Sequence, residues 1–88
     1  MTIFSMECFV YILKSESKVT KHYVGITHDV LKRLDEHNAG KSKFTSGFVP
    51  WRVIHVESFK SMKEARVREK YLKTGAGRRF ISRSLSNA

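Results

Sequence analysis

The chain has 88 residues, enough for one small domain, which at this length buries only about 60 to 65% of its unfolded surface and keeps little surplus stability. Hydrophobic residues make up 41% of it, with six Phe, three Tyr, one Trp, one Pro and five Gly, which supplies a packed core and argues against disorder. Seventeen Lys and Arg against eight Asp and Glu leave a formal charge of +9, which favours an anionic partner, nucleic acid first, and is silent about chemistry. Nothing approaches the roughly 18 apolar residues that span a bilayer, and no segment joins a large apolar face to a cationic one. "MTIFSMECFVYIL" lacks the basic region and small-residue cleavage site of a signal peptide. The expectation is a cytoplasmic protein with no membrane partner.

The first predicted element is "CFVYIL", residues 8 to 13, an apolar and aromatic run of strand length. Its Cys8 is the chain's single cysteine, which excludes a disulfide framework and suits a reducing compartment. A polar loop leads to "HYVGIT", a second β-rich run, and the short connection predicts an antiparallel hairpin. Gly25 inside that run marks either a bulge or a close approach of another group. Thr27 or Asp29 can cap a helix from about 29 to 39, with Gly40 as its C′ residue and Val30, Leu31 and Leu34 as its core face. Arg33 and His37, four apart, fall at the margin of that face, on the side nearer Val30. "KSKFTSGFVP" reads as a basic loop and "WRVIHVESF" as a third strand.

A second helix follows over "SMKEARVREKYLK", opened by a capping box of Ser61 and Glu64. Met62, Ala65 and Leu72 lie within roughly 80° of one another on its wheel, and Glu69 lies inside the same arc. A carboxylate on that stripe must be protonated, paired with Arg or Lys, or hold a cation in a cleft. "TGAG" reads as the end of this helix, and "RRFISRSL" as a short last helix resting on Phe80, Ile81 and Leu85. The order β-β-α-β-α-α predicts a small α+β domain, a three-stranded, mostly antiparallel sheet flanked by helices, with its core over about 8 to 82. Taken singly, Tyr11 and Tyr23 are ordinary cross-strand packing residues, and Arg33 with His37 is ordinary helix surface. The four histidines show no zinc-ligand spacing.

Together these residues resemble the GIY-YIG nuclease domain, in particular the small proteins similar to the nuclease domain of the excision-repair subunit UvrC. "FVY", ending at Tyr11, stands for the first motif without its Gly and Ile; "YVG", Tyr23 to Gly25, stands for the second. The family's helix arginine falls on Arg33, the subgroup's histidine on His37, and the metal-binding glutamate on Glu69 of "EARVRE". Ile26 stands where UvrC-type domains often carry a lysine.

The resemblance implies an endonuclease that hydrolyses DNA phosphodiesters with one divalent metal, Mg²⁺ foremost and Mn²⁺ second, held by Glu69. Arg33 would stabilise charge on the phosphoryl oxygens, Tyr11 or Tyr23 would act as base or water-positioner, and His37 as proton shuttle or competing base. Lys41, Lys43, Arg66, Lys70 and Lys73 are candidates for holding the nucleic-acid backbone. Nothing suggests base-edge readout, so selectivity for branched, flapped or damaged DNA in repair or recombination is expected, with a homodimer or a protein partner supplying targeting. Two other readings compete: a basic nucleic-acid-binding module of the same fold with weak or no catalysis, and a structural protein of an RNA assembly.

Overall fold

The computed structural model describes residues 7–85; residues 1–6, on which the exclusion of a signal peptide rests in part, and 86–88 lie outside the described residues. The elements run β1 (Cys8–Ser15), β2 (His22–Thr27), α1 (Val30–Asn38), a 3₁₀ turn (Ser46–Phe48), β3 (Trp51–Phe59), α2 (Met62–Leu72) and α3 (Gly75–Ser84). They form an α+β domain whose one sheet has the strand order β2-β1-β3. Both pairings are antiparallel, with Tyr11 opposite Gly25 in β2 and Val56 in β3. A register shift between Ile12 and Leu13 marks an irregularity against β3.

Alternation along the central strand divides the interior in two. Cys8, Val10 and Ile12 pack with Ala65, Leu72 and Ile81 of α2 and α3, an apolar layer that also takes Val24. Tyr11 and Leu13 face the other way, toward Trp51, Tyr23, Val30, Leu34 and Phe48 on the α1 side. One strand therefore carries aliphatic residues into one layer and the Tyr11 phenol into the other.

Asp29, not Thr27, caps α1, its carboxylate accepting from the Lys32 N–H at 3.0 Å. The helix ends as the sequence predicts: Gly40, at φ 78°, sends its N–H to His37 O while the Lys41 N–H reaches Glu36 O, the paired bonds of a Schellman end. Its inward face differs from the expected one. Leu31 is 74% exposed, while Val30, Arg33, Leu34 and His37 make the i, i+3, i+4, i+7 stripe. Hydrophobicity alone favours Leu31, but the surface under α1 is partly phenolic and hydroxylic, and polar side chains satisfy it better.

Ser61 caps α2 as predicted, accepting from the Glu64 N–H at 3.2 Å while its hydroxyl donates to the Glu64 carboxylate at 3.1 Å. "TGAG" is a beginning rather than an end. Thr74 caps α3, accepting from the Gly77 N–H at 3.2 Å, so that helix starts at Gly75. Gly77 is buried where α3 crosses α2, and a Cβ there would overlap the backbone of Tyr71 and Leu72. Gly77, one of the two glycines that suggest a stop, is there to let two helices touch.

Candidate active site

A cleft of about 230 Å³ is lined by Tyr11, Tyr23, Gly25, Ile26, Arg33, Met62, Arg66 and Glu69, drawn from β1, β2, α1 and α2. Tyr11 reaches it because Gly25 stands directly opposite in the sheet: a Cβ at Gly25 would lie 2.6 Å from the phenol oxygen. The glycine is therefore a close approach, and the β1–β2 ladder runs through it without a bulge.

Tyr11 is 1% exposed, and its hydroxyl lies 2.9 Å from His37 Nε2. His37 is fully buried and lies 2.8 Å through Nδ1 from the hydroxyl of Thr45, itself fully buried. The directions follow from donor counts. A neutral imidazole that donates its Nδ1–H to Thr45 has an unprotonated Nε2, which accepts the Tyr11 phenol proton. The Thr45 hydroxyl has the Ser42 carbonyl as an acceptor at 3.4 Å, which frees its lone pairs for His37 Nδ1–H. Trp51 Nε1–H holds the Thr45 carbonyl at 2.9 Å, and Asn38 and the Trp51 backbone exchange bonds of 2.6 and 3.0 Å, fixing the loop to α1 and β3.

Burial, with Tyr23 adding to it, pushes the Tyr11 phenol up to about 12 against the lowering effect of Arg33. Arg33 alone thus does not acidify Tyr11. Burial, reinforced by Arg33, pulls His37 below its ordinary range and keeps the imidazole neutral at physiological pH. Arg33 is braced by Glu36 at 2.9 Å, which keeps the guanidinium charged. Tyr23 meets the His37 ring edge-on at 4.8 Å between centroids.

Glu69 is the carboxylate lining the cleft, 20% exposed, with Lys73 on its Oε2 at 3.0 Å. The ion pair considered from the sequence is thus present, one turn along α2 and toward solvent. Among the described residues no three His, Cys, Asp or Glu side chains gather into a metal-binding group. One carboxylate and two phenols do offer the hard oxygen donors that suit a Mg²⁺ ion keeping several waters, and Arg33 and Arg66 in the same cleft match a phosphate.

The cleft thus assembles Tyr11, Tyr23, Arg33, Arg66 and Glu69. His37 stands one hydrogen bond behind it, and Lys41, Lys43, Lys70 and Lys73 are exposed outside its wall. Sequence reasoning missed Thr45, Asn38 and Trp51, whose signal is a polar or aromatic residue beside the basic loop. It also missed Glu36, which sits three residues from Arg33 on α1.

The GIY-YIG catalytic domain profile matches residues 7–79. A UPF0213 protein of Listeria monocytogenes is 45% identical over 60 residues, 67% of this chain and 64% of that one, so the chain spans a little under two thirds of that relative. A UPF0213 protein of Halobacterium salinarum is 42% identical over 65 residues, 73% of this chain and 82% of that one. The solution NMR structure of a UPF0213 protein from Bacillus halodurans matches with a TM-score of 0.50 at 32% identity, covering 86% of this chain and 82% of that one.

Proposed function

The chain belongs to the GIY-YIG family, a nuclease family, and from that premise we propose that it is a metal-dependent endonuclease acting on DNA phosphodiesters, selective for structure rather than sequence. The observation that carries this reading is the single cleft shared by Tyr11, Tyr23, Arg33 and Glu69. Arg33, braced by Glu36, presents planar donors for the phosphoryl oxygens. Glu69 would hold the divalent ion, Mg²⁺ or Mn²⁺, which when bound neutralises phosphate charge and favours departure of the leaving oxygen.

Proton removal from the attacking water runs through two residues. Tyr11 accepts the water's proton as it passes its own to His37 Nε2, so no free phenolate is needed despite the raised phenol. His37 is the terminal acceptor and does not meet the water, since it is buried behind Tyr11. Tyr23 walls the water's site. Lys41, Lys43, Arg66 and Lys70 supply a salt-sensitive hold on the backbone, suited to branched, flapped or damaged DNA met in repair or recombination. The buried thiol of Cys8, not joined in a disulfide, suits a reducing cytoplasm, and no helix among the described residues is long and apolar enough to cross a membrane. Targeting falls to a protein partner or a second copy.

The test is a panel of linear, flapped and branched DNA with Mg²⁺ or Mn²⁺, repeated in EDTA. Metal-dependent nicking is expected, lost in Glu69→Ala and reduced about 10²-fold or more in Arg33→Ala. A binding module without catalysis has one observation in its favour, the Lys73 ammonium already on Glu69. It predicts tight, salt-sensitive binding with no product from any substrate, and Glu69→Ala binding as wild type.

A further inference from the structure

A second groove has a volume of about 490 Å³, within the range of sites that take small ligands. It lies between β2 and the α2–α3 pair. Val24, Leu72 and Ile81 form its apolar base, and Thr20, His22, Lys73, Arg78 and Ser82 stand around it. No carboxylate is among its lining residues. Tyr23 lines both this groove and the cleft.

The two depressions follow one another along the same seam. On β2 the groove takes His22, Tyr23 and Val24 and the cleft takes Tyr23, Gly25 and Ile26; along α2 the cleft takes Met62, Arg66 and Glu69, and the groove takes Leu72 and Lys73 just past the helix end. From Met62 to Lys73 a helix rises about 16 Å, more than one phosphate spacing of a nucleic-acid strand. The Glu69–Lys73 ion pair stands at the boundary between them. Of the groove's cations, Lys73 is shared with Glu69, and Lys21 has its ammonium 5.1 Å from the centre of the Phe48 ring. Arg78 is exposed, and while its backbone N–H donates to Thr74 O at 2.9 Å, its guanidinium engages no hydrogen bond or ion pair among the described residues.

We infer that this groove is a nucleotide subsite continuous with the cleft: a single DNA strand lies along the β2–α2 seam, with the nucleotide adjoining the scissile phosphate held in the groove. Arg78 takes its phosphate as a bidentate donor, and the apolar base formed by Val24, Leu72 and Ile81 receives the sugar and base. The inference rests on the nuclease reading for what occupies the cleft, and on the groove's own lining for what occupies the groove.

Fluorescence anisotropy in EDTA, with labelled single-stranded oligodeoxynucleotides of increasing length, tests it without cleavage. Arg78→Ala is expected to weaken binding several-fold and to lower the salt slope by about 0.7, the share of one single-strand phosphate. Arg79→Ala, its exposed neighbour outside the groove, removes the same charge and should leave binding and slope nearer wild type. Ser82→Trp fills the groove at constant charge and should match Arg78→Ala, with an unchanged circular dichroism spectrum reporting an intact fold. Equal losses for Arg78→Ala and Arg79→Ala, no effect of Ser82→Trp, or no binding of single strands by the wild type would each overturn the subsite. If the wild type cuts no DNA yet Arg78→Ala still weakens binding selectively, the groove stands and the nuclease reading falls. If it cuts DNA and Arg78 proves neutral, the nuclease reading stands and the groove falls.

Discussion

Gly25→Ala adds one methyl group where the Tyr11 ring leaves no room. The new Cβ would lie 2.6 Å from the phenol oxygen, 2.7 Å from Cζ and 3.0 Å from Cε1. Ordinary contact begins near 3.4 Å, so the tip of the ring must move by about 0.8 Å or the two strands must part. Tyr11 is 1% exposed in the central strand, so neither movement is easy, and overpacking of this kind costs about 1 to 3 kcal/mol. The same movement can stretch the 2.9 Å bond to His37 Nε2 beyond hydrogen-bonding range. In a domain of this size each kcal/mol lowers Tm by about 4 to 8 °C, so a fall of at least several degrees is expected. A misplacement near 1 Å at a reacting group removes about 10²-fold in rate. Thermal unfolding by circular dichroism and single-turnover cleavage read the two effects separately. If Gly25→Ala melts and cuts as wild type, the Tyr11 ring does not lie against Gly25 and the geometry of the cleft is wrong.

Two other outcomes follow from the buried relay. Thr45→Val, close in shape, leaves the His37 Nδ1–H unsatisfied in the interior and should cost about 1 to 3 kcal/mol; nitrogen NMR of the imidazole should show protonated Nδ1 in the wild type and a disturbed tautomer in the variant, and a wild type protonated at Nε2 would reverse the proposed proton direction. The second concerns pH. Burial lowers both His37 and His22 in the folded chain, so the unfolded chain binds more protons below about 6.5 and stability should fall there as pH falls. A further loss should begin below about 4.5, where Glu57, held low by Arg68, takes up its proton more readily in the unfolded chain. Urea midpoints at pH 7.5, 5.5 and 4 check this, and His37→Gln should flatten the upper step; a midpoint constant between 7.5 and 5.5 would show that neither histidine is held neutral by the fold.

Much of this architecture was legible because apolar runs and capping residues are local signals. The bounds of β2 and β3 and the Ser61 cap of α2 can be read from neighbours in sequence. The inward face of α1 cannot, because Arg33 and His37 point inward only once Tyr11 and Thr45 lie beneath them. "TGAG" misleads for a related reason: Gly77 serves contact with α2, which no local rule encodes. Glu69 was conspicuous because its charge breaks an apolar stripe, whereas Thr45 looks like any loop threonine until His37 is above it. The sequence distinguishes residues that are costly where they stand, and hides those whose value lies in another residue's position.

The alternation of β1 has a consequence for how this domain can change. Because Val10 and Ile12 build the aliphatic layer while Tyr11 and Leu13 build the other, a one-residue slip of the strand would turn the phenol into the oily layer and an isoleucine toward Arg33. Correct pairing and correct chemistry are therefore a single event, and a misregistered chain is both unstable and inert. The shift against β3 falls just after Ile12, between the part of the strand that bears the phenol and the part that bears Leu13. Length changes are most readily absorbed at such an interruption, so insertions in β3 beside it should spare Tyr11, whereas any insertion between Cys8 and Tyr11 should not.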